Sequence, residues 1–126
     1  MQLRTTIGRI RGLGSAREGT GHWKAQRLTA ISNLFLVLWF VFSAMALAGC
    51  GYAEYRAWIA SPITASLLIL LIVSVFYHAR LGVQVVIEDY VHHEGVRVAS
   101  IAALTLAVFG LAVACIVAVL MISLGS

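Results

Sequence analysis

Long apolar runs separated by short polar stretches dominate the chain. The first occupies residues 28–49, where Leu, Ile, Phe, Val and Ala continue for about 20 residues, enough to cross about 30 Å of hydrocarbon as an α-helix. Gly49, Cys50 and Gly51 break it. The second occupies residues 62–90 and opens with Pro62, whose missing N–H costs nothing in the first turn of a helix. At about 1.5 Å per residue this run outlasts the hydrocarbon core, so its inner end should protrude or tilt. The third occupies residues 98–124 and carries no charge after Arg97. The pattern predicts an all-α fold of three transmembrane helices. A basic N-terminal segment (1–27), an outer loop (50–61) and an inner loop (91–97) complete it.

Within the spans, small and aromatic positions refine this picture. Ala103, Ala107, Gly110, Ala114 and Ala118 recur every three or four residues, a stripe that lets a neighbouring helix approach closely. Tyr52, Tyr55 and Trp58 fit an aromatic belt at headgroup level, while Phe35, Trp39, Phe40 and Phe42 suit lipid or packing. Asn33 is the strongly polar residue of the first run.

Composition agrees: of 126 residues, 61% are hydrophobic and 11% charged, against about a quarter charged in soluble domains. Three spans leave no room for a soluble catalytic domain with its own core, so any catalysis must be shared with partners. The net charge of +4 follows membrane topology, not a nucleic-acid-binding face. Arg4, Arg9, Arg11, Arg17, Lys24 and Arg27 precede the first run against Glu18, whereas the outer loop holds Arg56 with Glu54. The positive-inside rule therefore puts the N-terminus on the cytoplasmic or matrix side and the C-terminus on the other. Residues 1–27 are too polar, and the run after them too long, for a removable signal, so that run reads as a retained helix. Cys50 and Cys115 form no metal or disulfide motif and suit packing.

The second run carries the chemistry, with His78, Arg80, Gln84, Glu88 and Asp89 in one apolar helix. A charged residue at the centre of a span costs about 2.5–3.5 kcal/mol on the insertion scale. Glu88 and Asp89 sit near the inner interface, but His78 lies about 24 Å along the helix from Pro62. Rotation of about 100° per residue places His78, Gly82 and Asp89 on one stripe. A neutral imidazole is a good axial ligand for heme iron, and Gly82, one turn on, would clear a flat macrocycle. His22 precedes the spans and His92 and His93 follow this one, so a second axial ligand would come from another subunit. Two other readings stay open on spacing alone: an interhelical hydrogen bond, or a proton relay from His78 to Glu88 or Asp89. The adjacent His92 and His93 do not converge on one ion and read as solvated loop residues.

The string HARLGVQVVIEDY, residues 78–90, resembles the H-A-x-x-G-x-x-x-x-x-x-D-Y pattern of the D-type membrane anchor of succinate dehydrogenase, respiratory complex II. The segment GSAREGTGHWKAQRLTA, residues 14–30, resembles the same family. The resemblance implies a heme-binding helix bundle between subunits. In it His78 is one axial ligand of a single heme b, and a larger cytochrome b anchor subunit supplies the other. It also implies that the Tyr90 hydroxyl bonds a ubiquinone carbonyl with Asp89 beside it, and that Arg27 is placed to meet a heme propionate or another acidic group near the inner surface. No family role falls on Arg80, and that of His22 stays open. The expected partners are the iron–sulfur and flavoprotein subunits, in a bacterial inner membrane or its mitochondrial equivalent. The expected reaction is succinate oxidation coupled to ubiquinone reduction. A fumarate reductase anchor, running the opposite way, has the same architecture.

Overall fold

The structure is a computed structural model that describes residues 15–125, with side chains from residue 21 onward, His22 excepted. The basic residues of segment 1–14 and the side chains of Arg17, Glu18 and His22, on which part of the topology reading rests, lie outside the described side chains. Four helices follow one another: α1 (Ser15–Ala46), α2 (Tyr52–Ala60), α3 (Pro62–Tyr90) and α4 (Glu94–Leu124). Candidate spans are Trp23–Ala46, Pro62–Tyr90 and Glu94–Leu124, with mean hydropathies of 2.0, 2.0 and 2.8.

Helix α1 starts well before the apolar run at residue 28, because Lys24, Ala25, Gln26 and Arg27 are strong helix formers and extend the span into its polar flank. It ends in a turn at Gly49, whose φ of +84° is open to glycine and strained for other residues. The outer loop is not extended: residues 52–60 form α2, whose Trp58 folds back to stack on Trp39 of α1, with ring centroids 5.8 Å apart. Trp58 is thus a packing residue, while Tyr52 stays 74% exposed. Arg56 donates to the Gly125 carbonyl at 2.9 Å, tying α2 to the end of α4. Helix α4 begins ahead of residue 98, because the His93 ring accepts the Val96 N–H at 3.2 Å and caps it.

Helix α3 is central. It packs against α1 on one side and α4 on the other, whereas α1 and α4 do not meet among the described residues. The buried residues Thr64, Ala65, Leu68, Ser74 and Leu81 all belong to it. The molecule is therefore a row of three spans with wide apolar faces: Leu28, Phe35, Phe42, Leu106 and Phe109 are all exposed. In lipid those faces carry no penalty, and they remain open to other helices.

The small stripe of α4 lies on such an open face, since Ala103, Ala107, Gly110, Ala114 and Ala118 are exposed and Thr105, Val108, Ala112 and Ile116 line the groove toward α3. The stripe packs against no described helix of this chain. About 20 residues, the thickness of the hydrocarbon, counted from the α2 end reach Arg27 on α1, Leu81 on α3 and Thr105 on α4. Beyond that level the three helices overhang with Lys24, Gln84, Glu88, Asp89, Glu94 and Arg97.

Candidate functional site

The seam between α1 and α3 is polar in an apolar environment. Gln26, Thr29 and Asn33 recur at helical spacing on α1, opposite Ser74, His78 and Gly82 on α3. Ser74 donates to Asn33 Oδ1 at 2.6 Å. One turn further on, His78 Nδ1 lies 3.0 Å from the Thr29 hydroxyl. A turn beyond that, Gly82 faces Gln26, whose Nε2 would lie 3.9 Å from an added Cβ. Gln26 Oε1 is buried without a hydrogen-bond partner among the described residues.

The hydrogen-bond pattern makes Nδ1 the donor toward Thr29. The Thr29 hydroxyl lies 2.8 Å from the Ala25 carbonyl and 3.1 Å from the Gln26 carbonyl, neither of which can donate. Its single proton therefore goes to those carbonyls, because two bare oxygens at 2.8 Å would repel. The hydroxyl is left to accept, so Nδ1 carries the ring proton and donates to it. A neutral ring protonated at Nδ1 keeps its lone pair on Nε2, the form in which histidine ligates a metal through Nε2. No described residue pairs with Nε2, and His78 is half-buried.

The other candidate residues are more dispersed. Tyr90 ends α3 with 78% of its surface exposed, and Asp89 beside it is exposed too. Neither bonds a described residue. Arg27 is exposed and its guanidinium sits 5.0 Å over the Trp23 ring, a cation–π contact that steadies it on α1. Arg80 points the other way, toward α4, where its Nε donates to Thr105 at 3.1 Å. Glu88 accepts from Gln84 at 3.0 Å, and no described hydrogen bond links it to His78, about 15 Å away along the helix. Among the described residues no three His, Cys, Asp or Glu side chains gather to hold a metal ion.

Residues 1–119 match the family model of the succinate dehydrogenase/fumarate reductase transmembrane subunit. The chain belongs to that family. It is 35% identical over 89 residues, covering 71% of each chain, to the succinate dehydrogenase hydrophobic membrane anchor subunit of Rickettsia bellii (strain RML369-C). The protein so described in Rickettsia conorii (strain ATCC VR-613 / Malish 7) is 29% identical over 96 residues, covering 75% of this chain and 76% of that one. With three apolar spans, this makes the chain a multi-pass succinate dehydrogenase membrane anchor of the D type, which associates with the other subunits of that enzyme.

The anchor's polar seam contains residues that sequence reasoning passed over. Thr29, Gln26 and Ser74 were legible as a pattern, since Gln26, Thr29 and Asn33 fall three and four residues apart and Ser74 precedes His78 by four. Threonine and serine are common enough in membrane helices, where they bond their own backbone, that this spacing gains meaning only once α1 and α3 are known to be neighbours.

Proposed function

We propose that this anchor holds one side of a heme b through His78 Nε2, with a second, larger anchor subunit supplying the opposite ligand. Together the two anchors fix the iron–sulfur and flavoprotein subunits of succinate dehydrogenase to the membrane. The observation that carries the reading is the half-buried His78 in the central helix, its Nδ1 3.0 Å from the Thr29 hydroxyl and its Nε2 without a described partner. The donor set fits: one imidazole nitrogen from this chain suits a bis-histidine heme shared across an interface. Bound there, heme b would supply a one-electron carrier, with His78 as this chain's link to it through a coordinate bond.

The remaining residues take their places around it. Arg27, at the level where the hydrocarbon ends and with no described acidic partner, suits a propionate carboxylate. Gly82 puts no side chain on the His78 side of α3, where Gln26 Nε2 lies 3.9 Å from the place of an added Cβ. Tyr90, with an exposed phenol and an apolar ring at the overhanging end of α3, suits a ubiquinone carbonyl, and Asp89 lies beside it. This end faces the cytoplasm or matrix, where the iron–sulfur subunit docks and electrons arrive from succinate. The C-terminus lies on the opposite side.

A reduced-minus-oxidised spectrum and heme count on the purified complex test the reading. One low-spin b-type heme per complex is expected. A complex that oxidises succinate with quinone yet contains no heme would overturn the ligand role of His78.

A further inference from the structure

We infer that Thr29 is the positioning residue of the heme ligand: its hydroxyl accepts the Nδ1 proton of His78 and so fixes which nitrogen, and which ring orientation, is presented for ligation. This rests on the heme reading of His78 and extends it to a residue on another helix.

Three distances carry the argument. The hydroxyl is pinned to its own helix by the carbonyls of Ala25 and Gln26, at 2.8 and 3.1 Å, so its proton is committed and its lone pairs point away from the α1 backbone. Threonine is branched at Cβ and stiff at χ1, which makes this a fixed acceptor and not a rotor. The ring meets that acceptor at 3.0 Å, across two helices and 49 residues of sequence. Turning the ring over would set Nε2 against the hydroxyl and remove the free lone pair from the position it holds.

The neighbouring contacts show that this bond is separate from simple helix packing. Ser74 and Asn33 tie the same two helices together one turn away, with a bond of 2.6 Å that does not touch the imidazole. Ser74 also lies 3.4 Å from the Thr29 carbonyl, a backbone contact independent of the threonine side chain. Helix α1 therefore does two things on one face: Asn33 holds α3 in place and Thr29 orients its ligand. A hydrogen bond to the remote nitrogen raises ligand basicity, which favours ferric over ferrous iron, and loss of such outer partners typically weakens metal binding about 10–100-fold.

The test compares Thr29→Val, Thr29→Ser and Ser74→Ala in the assembled complex. Thr29→Val keeps shape and removes the acceptor. It should raise the heme midpoint potential, alter the low-spin EPR signal and speed heme transfer to apomyoglobin about 10–100-fold. Thr29→Ser should restore all three, and Ser74→Ala should leave potential and EPR signal at wild-type values. Unchanged potential, EPR signal and heme loss in an assembled Thr29→Val complex would overturn the inference, as would an equal shift in Ser74→Ala, which would make the effect one of packing. If Thr29→Val does not assemble, Thr29→Ala removes the same hydroxyl without the second methyl. Failure of both while Thr29→Ser assembles would assign the hydroxyl to helix association and also overturn the inference. A His78→Leu complex that retains low-spin heme would instead overturn the underlying ligand assignment, which separates the two failures.

Discussion

Tyr90 is exposed at the end of α3, with its ring standing clear of the rest of the chain and its hydroxyl unbonded to any described residue. If that hydroxyl donates to a quinone oxygen, Tyr90→Phe removes one hydrogen bond and almost no packing. Binding or transition-state stabilisation should fall by about 1–3 kcal/mol, a loss of about five- to 150-fold in quinone kcat/KM. Succinate oxidation with an acceptor that draws electrons from the soluble subunits should persist, and so should heme content, because His78 is about 18 Å away along the helix. Wild-type quinone kinetics in the Phe variant would make Tyr90 an interfacial belt residue. At this scale the sequence showed His78 as a polar residue inside a span, but not Thr29, whose meaning depends on which helix lies opposite. Arg80 was visible as a charge without a role. Its place on the face toward α4 gives it one, as donor to Thr105.

Among the described residues both packed pairs of spans have polar contacts: Asn33 with Ser74 and Thr29 with His78 between α1 and α3, Arg80 with Thr105 between α3 and α4. Lipid removes the hydrophobic drive for helices to associate, so bonds such as Asn33 with Ser74 and Arg80 with Thr105, together with close packing, must carry it. The Thr105 hydroxyl donates to the Ile101 carbonyl at 2.8 Å and so is held to accept from Arg80. Thr105→Val should strip that acceptor from a guanidinium at the hydrocarbon boundary. A hydrogen bond to a charged group is worth about 1.5–3 kcal/mol, so the thermal midpoint of the detergent-solubilised complex should fall while the heme spectrum stays the same. An unchanged midpoint would mean that water or headgroups satisfy Arg80 equally well. Three apolar helices were legible from run length and the absence of strand alternation. The polar extensions of α1 and α4 were not, because hydropathy registers where lipid ends and not where the backbone hydrogen bonds do. Nor was the folding of Trp58 onto Trp39, since an aromatic residue at an interface looks the same in sequence whether it meets headgroups or another ring.

As a whole, the anchor is a row of three helices with α3 between its neighbours, and a row has two open faces. Those faces, the exposed stripe on α4 and the His78 nitrogen that no described residue pairs suit a molecule whose structure is completed by partners. The overhanging polar ends all lie on the side away from α2, and the basic N-terminal segment argues that this side is internal. With Cys50 and Cys115 replaced, Ile10→Cys should be shielded from an impermeant thiol reagent in intact cells. A cysteine appended after Ser126 should be labelled. The reverse pattern would move Tyr90 to the wrong side for electrons arriving from succinate. The central claim, that this chain contributes an axial ligand to a heme shared with another subunit, is tested most directly by the low-spin heme spectrum of a His78→Leu complex. The account predicts that the bis-histidine EPR and optical signatures vanish and that the two anchors associate less firmly. An unchanged low-spin spectrum, at one heme per complex, would contradict it.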